Sequence, residues 1–185
     1  MTVAISLLRG VNVGGHHKIK MDALRGLYES LGLVDVRTYI QSGNVVFRTK
    51  ERNPEHLSGV IADGIERSFG FRPGVVVRTA SDLRGVISGN PFAGRPEIGP
   101  NKLHVSFLSD EPHSDARDKV LGIKFDPEEL HIAGRELYIF FPNGMGQSKL
   151  SMPLVEKTLK TSGTARNWNT VLKLMDMAET LGGPL

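Results

Sequence analysis

The chain has 185 residues, of which 39% are hydrophobic and 23% are charged, and it contains no cysteine, which excludes disulfide scaffolds, cysteine-ligated zinc, iron–sulfur clusters and thiol catalysis. The formal net charge is +3, and the excess of positive charge lies in residues 1–92, where 12 Lys and Arg stand against 8 Asp and Glu. These cations are too scattered to indicate a dedicated nucleic-acid binder. No run approaches the roughly 20 apolar residues that span a bilayer, and no basic residue precedes the apolar start, so we expect a soluble cytoplasmic protein with no membrane partner.

Apolar spacing predicts seven elements in the first half of the chain. A continuous apolar run predicts a buried strand, alternation predicts half-buried strands, and helical spacing predicts amphipathic helices. Ser42-Gly43 predicts a tight turn, Asn53-Pro54 the start of a helix, and Ser81 a helix cap. The predicted elements are a strand over 3–8, a helix over 21–31, strands over 36–40 and 44–47, a helix over 54–69, a strand over 75–77 and a helix from 81 that ends by Asn90.

The same order recurs after a segment rich in proline and glycine. Residues 93–101 hold two of each, a composition typical of a linker or a surface loop. Beyond it we predict a strand over 103–108, a helix over 112–121 capped by Ser114, a hairpin of 130–133 and 137–141 around Gly134-Arg135, a helix capped by Ser151, an edge strand over 164–167 and a closing helix over 170–181.

This order predicts an α+β fold of two ferredoxin-like (βαββαβ) halves, each followed by a helix. We place the first half at 1–92, the linker at 93–101 and the second half at 102–185. The halves share an order of elements and no obvious sequence.

The first candidate site is the glycine-rich segment between the first strand and the first helix. Gly10, Gly14 and Gly15 permit positive φ and leave their N–H groups unobstructed, so the loop is suited to hold an anion beside a helix start. Arg9 and Lys18, with Lys20, add positive charge. The pattern is neither a dinucleotide fingerprint nor a Walker loop. The alternative is a glycine-rich connection with no ligand.

Two further loops carry polar side chains. Gln41, Ser42 and Asn44 lie on or beside a tight turn, where their alternative role is to bond the local backbone. Asn143–Lys149 ends in Ser148-Lys149, the wrong order for a Walker loop, which excludes ATP binding of that type. Adjacent residues point apart in regular structure, which argues against a Ser–Lys nucleophile pair, but both side chains could still face a ligand.

The fourth candidate is Thr164–Thr170, which contains the only tryptophan. Arg166 is suited to bind phosphate or carboxylate, and Trp168 to stack on a ring. The alternative is that Asn167 or Asn169 caps the last helix while Trp168 packs in the core. The six histidines form no metal-binding motif, so we predict no metal site and no cofactor.

Several of these segments together resemble a bacterial family known as a domain of unknown function, number sixteen ninety-seven. The resemblance runs in order over essentially the whole chain, through Leu7–Gly15, Tyr39–Phe47, Asn90–Phe92, Ser148–Leu150 and Thr164–Thr170. It implies a compact α+β protein of two ferredoxin-like halves, and it implies no activity. Because the shared segments are polar loops and not apolar stripes, they hint at a shared ligand.

Our leading hypothesis is a site for a small anionic ligand, phosphorylated or nucleotide-like, between the two halves. The sequence names no nucleophile and base pair, and so leaves open whether the chain is an enzyme. The candidate ligand-binding residues are Arg9, Asn12, Gly14, Gly15, Lys18, Gln41, Asn44, Lys149, Arg166, Asn167, Trp168 and Asn169.

Two alternatives come from other classes of protein. Ferredoxin-like sheets bind RNA or single-stranded DNA when aromatics on central strands stack on bases, and Tyr39, Phe47 and Phe107 lie on predicted strands. The second alternative is a structural or partner-binding module whose polar loops are only turns and caps. The sequence does not indicate an oligomeric state.

Overall fold

A computed structural model of the chain describes residues 1–182 and contains two four-stranded antiparallel sheets with their helices. The strands are Thr2–Leu8 (β1), Val34–Tyr39 (β2), Asn44–Thr49 (β3), Val75–Thr79 (β4), Leu103–Leu108 (β5), Glu129–Ala133 (β6), Glu136–Phe140 (β7) and Gly163–Asn167 (β8). The α-helices are Met21–Ser30 (α1), Pro54–Phe69 (α2), Ala80–Ser88 (α3), Ser114–Leu121 (α4), Met152–Leu159 (α5) and Trp168–Gly182 (α6), and Met145–Gln147 forms a 3-10 turn.

The first sheet has the strand order β2-β3-β1-β4, with every neighbouring pair antiparallel. Together with α1 and α2 this is the predicted ferredoxin-like arrangement. Apolar side chains of one sheet face pack against the apolar stripes of the two helices. The core includes Phe47 from the sheet, Tyr28 from α1 and Ile61 from α2.

The second sheet repeats this topology, with the strand order β6-β7-β5-β8 and the helices α4 and α5. Its core includes Leu137 from the sheet, Val120 from α4 and Val155 from α5. The fold class predicted from the sequence, α+β with two ferredoxin-like halves each followed by a helix, is therefore confirmed.

The chain divides into two compact units. The first unit consists of Met1–Gly85 and the described residues from Lys173 on, and the second unit is Val86–Leu172. The last ten described residues, from the C-terminal part of α6, therefore belong to the first unit. The boundaries at 92 and 101 that the sequence suggests stay a prediction.

The central strands of the two sheets, β1 and β5, end in equivalent hydrogen bonds. At the end of β1 the Leu8 amide donates to the Gly43 carbonyl at 2.9 Å, and at the end of β5 the Leu108 amide donates to the Arg135 carbonyl at 2.8 Å. Each acceptor lies in the turn of the neighbouring hairpin. Counting back from these leucines makes Ser6 and Ser106 equivalent positions.

The predicted starts of α2 and α5 are confirmed by their caps. The Asn53 side chain accepts hydrogen bonds from the amides of Glu55 and His56 at 2.9 and 3.2 Å, with Pro54 as the first helical residue. Ser151 accepts from the Leu154 amide at 3.4 Å and starts α5.

Two predicted caps are wrong. The cap of α3 is Thr79, two residues before Ser81, because the Thr79 hydroxyl accepts from the Asp82 amide while the Asp82 carboxylate accepts from the Thr79 amide. Ser114 is the first residue of α4 and not its cap, a position held by His113 without a side-chain hydrogen bond.

Two predicted boundaries also shift. Ile40 lies outside β2, in a four-residue turn with φ of +48°, where its side chain is exposed. The closing helix begins at Trp168, two residues earlier than predicted, because Asn167 at the end of β8 leads directly into it.

Candidate functional site

A cavity of about 510 Å³ opens in the first unit at the amino end of α1. Its walls come from the loop between β1 and α1 (residues 9–20, called here the β1–α1 loop), from the first residue of α1 and from the β2–β3 turn (residues 40–43). We call it the α1 cavity, and it is lined by Asn12, Gly15, Lys18, Ile19, Lys20, Met21 and Gln41. Four of these residues are among the twelve candidates from the sequence.

The β1–α1 loop folds back on itself through a two-residue turn. The His16 amide donates to the Val13 carbonyl at 3.1 Å, across Gly14 and Gly15, whose φ angles are +59° and +80°. A hairpin turn with two positive φ angles strongly favours glycine, which explains the pair. Gly15 lines the α1 cavity, and Gly14 is not among its lining residues.

The Asn12 side chain holds the loop in place. Its amide nitrogen donates to the carbonyl oxygens of Ile19 at 3.0 Å and Gln41 at 2.8 Å, and its oxygen accepts from the Ile19 amide at 2.8 Å. Asn12 itself has φ of +57°, a conformation that asparagine tolerates better than most residues. Both amide hydrogens are thus bonded to backbone, so Asn12 shapes the cavity wall through its bonds to the loop and the turn.

Positive charge collects where α1 begins. Lys18 and Lys20 are exposed, and within residues 1–182 neither forms an ion pair or a side-chain hydrogen bond. Lys20 is also the residue before the helix, and its side chain does not cap the first turn. The one acidic residue in that turn, Asp22, is bonded to Arg25 at 3.0 Å. The helix dipole therefore adds to two lysine charges at the mouth of the cavity.

The β2–β3 turn, which carries Gln41, is held by hydrogen bonds from the buried Asn44 side chain. Asn44 is fully buried, and its amide nitrogen donates to the Tyr39 carbonyl at 3.0 Å and to the Ser42 hydroxyl at 2.9 Å. At Gly43, with φ of +74°, an added Cβ would lie 2.7 Å from Leu8 Cβ. The structure therefore gives Asn44 a role in fixing the turn, and leaves the exposed Gln41 facing the cavity.

Arg9 begins the β1–α1 loop outside the cavity lining. Its backbone amide donates to the Gly74 carbonyl at 2.9 Å. A Cβ added at Gly74 would lie 3.4 Å from the Arg9 Cβ. The residue is exposed at the end of β1.

The other five candidates belong to the second unit. Arg166 is only 7% exposed, and its guanidinium donates to the Thr164 hydroxyl at 2.7 Å and to the Ala165 carbonyl at 2.9 Å. Burial lowers the pKa of Arg166 to about 10, which still leaves it charged at neutral pH. Lys149 is exposed in the loop after the 3-10 turn.

The segment that joins β8 to α6 is a helix start. The Asn167 side chain accepts from the Asn169 amide at 3.0 Å and donates to the Asn101 carbonyl at 3.1 Å, so it is the cap that the sequence offered as the alternative role. Trp168 is 8% exposed and Asn169 is exposed. That all twelve candidate residues share one site stays a prediction.

Sequence reasoning left Ile19, Lys20 and Met21 out of the candidate site residues. The sequence indicates Lys20 only as added charge. Its position directly before a predicted helix is the feature that could have identified it as a site residue. Ile19 is buried, and its backbone is the part that Asn12 bonds. An aliphatic residue that lines a cavity through its main chain gives no such signal.

The aromatic residues considered for base stacking are not exposed for it. Phe47 and Phe107 are fully buried, and Tyr39 is half-buried. Among residues 1–182, no group of three or more His, Asp or Glu side chains is arranged to hold a metal ion. Over the same described range, no helix combines the length and apolarity needed to cross a membrane.

The fold and the cavity define an α+β protein with two ferredoxin-like units and a cationic pocket in the first. The chain belongs to the family described as "Protein of unknown function (DUF1697)", whose model matches residues 1–138. This confirms the family that the resemblance indicates, and the segments Leu7–Gly15, Tyr39–Phe47 and Asn90–Phe92 lie within the matched residues. No curated protein matches the chain significantly.

Among solved structures, the chain is similar to the conserved bacterial protein SP0830 from Streptococcus pneumoniae. The two share 23% sequence identity with a TM-score of 0.72, over 96% of this chain and 99% of that one. Similarity at this level of identity establishes a shared fold.

Proposed function

We propose that the first unit binds a small anionic ligand, phosphorylated or nucleotide-like, in the α1 cavity. One observation carries the proposal: the start of α1 and two exposed lysines, which form no ion pair within residues 1–182, line the same cavity of about 510 Å³. The volume falls within the range of about 300–1,000 Å³ that is typical of small-molecule pockets.

The charges around the cavity favour an anion over a neutral ligand. Lys18 and Lys20 have no carboxylate partner within the described chain, so a ligand would not have to displace one. The first N–H groups of α1 lack a side-chain cap, and helix starts of this kind bind phosphate and carboxylate groups. Gln41 adds an amide that can both donate to and accept from the rest of the ligand.

Rigidity of the walls also supports a binding role. The Asn12 bonds to the carbonyls of Ile19 and Gln41 join the loop to the turn, so the backbone of both segments is held in place before a ligand arrives. Binding to a preformed site has a smaller entropic cost than binding that must order a loop.

The proposal is tested on the full chain by calorimetry and thermal unfolding with inorganic phosphate, pyrophosphate and AMP. A ligand that binds only the native state raises the unfolding temperature with its concentration. We expect at least one of these probes to stabilise the chain, and added salt to weaken the effect. The affinity for that probe should fall about tenfold or more in the variant Lys18→Gln/Lys20→Gln.

The matched control is Lys50→Gln/Arg52→Gln, which removes two exposed positive charges of the same unit that do not line the cavity. This control should bind the probes as the unchanged chain does. Equal losses in both variants would mean that the anions respond to net charge alone, and the proposed site would then be rejected. Absence of stabilisation by all three probes at low salt would reject it as well.

A further inference from the structure

A second and larger cavity, of about 720 Å³, lies in the first unit away from the β1–α1 loop. It is bounded by the start of β1, the start of α3 and the last described turn of α6. A Cβ added at Gly182 would lie 3.9 Å from the Val3 side chain, which shows how closely the end of α6 approaches β1. We call it the α3 cavity.

The walls of the α3 cavity are mainly apolar. Val3, Ala80 and Ala178 supply aliphatic groups, and Thr2 and Thr180 lie beside them. The only charged residues among its lining are Arg84 and Glu179. This composition differs from that of the α1 cavity, which has two lysines and no acidic residue.

The start of α3 is partly capped by its own side chains. The Thr79 hydroxyl accepts from the Asp82 amide at 3.0 Å, and the Asp82 carboxylate accepts from the Thr79 amide at 2.8 Å. The charged side chains of the lining that can recognise a polar group of a ligand are Arg84 and Glu179.

Arg84 is only loosely engaged. Its Nη2 lies 3.7 Å from a carboxylate oxygen of Glu179, beyond hydrogen-bond length, with the two side chains 51% and 58% exposed. Within residues 1–182 its guanidinium donates no hydrogen bond. The planar fork of arginine matches a carboxylate in two parallel bonds, so a ligand carboxylate would bind better than Glu179 does.

We propose that the α3 cavity is a second ligand site, which takes an apolar molecule that bears one carboxylate. The aliphatic walls would hold the apolar part and Arg84 the carboxylate. Glu179 limits the ligand to a single negative charge, because a second one would face this carboxylate. The site is independent of the α1 cavity and of the function proposed for it.

The test is a calorimetric titration of the full chain with decanoate, a saturated chain with one carboxylate. We expect saturable binding, at least tenfold weaker in Arg84→Gln and tighter in Glu179→Gln. Decanol, which keeps the tail without the charge, should bind at least tenfold more weakly than decanoate. Thr180→Trp, at an exposed position of the lining, should block binding by filling the cavity.

Controls separate this site from unspecific association and from the α1 cavity. Lys18→Gln/Lys20→Gln should bind decanoate unchanged, whatever it does to phosphate binding. Equal affinity of Arg84→Gln and the unchanged chain would overturn the proposal, as would absence of saturable binding. A chain ending at Gly182 should give the same affinity; if decanoate bound only to this shortened chain, the site would belong to the protein's own last residues and the proposal would fail.

Discussion

The Asn12 side chain donates a hydrogen bond of 2.8 Å to the carbonyl oxygen of Gln41, 29 residues further along the chain. This bond joins the β1–α1 loop to the β2–β3 turn, and both segments line the α1 cavity. The shape of the cavity therefore depends on a side chain with little capacity left for a ligand. Asn12 therefore acts on the proposed binding indirectly, by fixing the segments that line the cavity.

Replacing Asn12 should lower stability in two separable parts. Asn12→Gly removes three hydrogen bonds and keeps an easy positive φ, so we expect a loss of about 1–2 kcal/mol. Asn12→Ala adds the strain of a left-handed backbone, for a total of about 2–4 kcal/mol. Urea denaturation of both variants measures the difference. Equal stability of the two would show that φ at this position relaxes without cost.

Gly43, in the β2–β3 turn, should tolerate substitution less well than Gly10. In Gly43→Ala the new Cβ would come 2.7 Å from Leu8 Cβ with φ at +74°, and we expect a loss of about 3 kcal/mol or more. The control is Gly10→Ala, with φ of +70° and no heavy atom within 4 Å of the new Cβ, which should lose only about 1 kcal/mol. Thermal or urea unfolding compares them. Similar losses would mean that backbone strain alone decides both.

Periodicity and caps were sufficient to predict the architecture, because they act locally. The leucine spacing of α1, the Asn53-Pro54 start of α2 and the strand over Leu103–Leu108 are as predicted. Ile40 was misplaced because an alternating pattern cannot show where a strand leaves its partner. Its positive φ is set by the turn to which it belongs.

The candidate site was only partly accessible to sequence reasoning. Lys18 and Gln41 could be selected as polar residues in loops, and both line the α1 cavity. Asn44 has the same chemistry, but its neighbours bury it, and burial is a tertiary property that residue type does not reveal. The α3 cavity carries no local signal, because threonine, alanine and valine are ordinary residues of strands and helices.

Arg95 and Glu129 should make stability fall at acid pH. Arg95 donates to both carboxylate oxygens of Glu129, at 2.6 and 3.0 Å, and this holds the pKa of Glu129 below its usual 4.5. A lowered pKa in the folded state means that the stabilisation is complete above the unfolded value. It is lost as the pH falls through the folded value.

We therefore expect Arg95→Gln to raise the pKa of Glu129 towards 4.5 and to weaken the loss of stability on acidification below about pH 5. Carboxyl chemical shifts followed by NMR report the pKa, and urea midpoints measured from pH 3 to 7 report the stability. Arg67→Gln, an exposed arginine of α2, is the control for net charge. Identical pH profiles in both variants would show that the ion pair contributes nothing specific.

Ser6 and Ser106 occupy equivalent positions, and they should respond oppositely to the same substitution. The Ser6 hydroxyl lies 2.8 Å from the Tyr28 hydroxyl in the buried core of the first unit. The Ser106 hydroxyl is buried and has no hydrogen-bond partner among the described residues. The helix facing the second sheet contributes the aliphatic Val120 to the core, where α1 contributes Tyr28 to the first. Removing the Ser6 hydroxyl therefore leaves the buried Tyr28 hydroxyl without this partner. Removing the Ser106 hydroxyl eliminates a buried polar group that has no hydrogen bond within the described chain.

We expect Ser6→Ala to lower stability by about 1–2 kcal/mol, because Tyr28 would keep a buried hydroxyl without a partner. Ser106→Ala should be neutral or stabilising by up to about 1 kcal/mol. Adding Tyr28→Phe to Ser6→Ala should then restore part of the loss, since both polar partners are gone. Chemical denaturation of the three variants and the unchanged chain measures these differences in stability. A loss in Ser106→Ala as large as that in Ser6→Ala would show that its hydroxyl has a partner, such as a bound water, and that the two cores are equally satisfied.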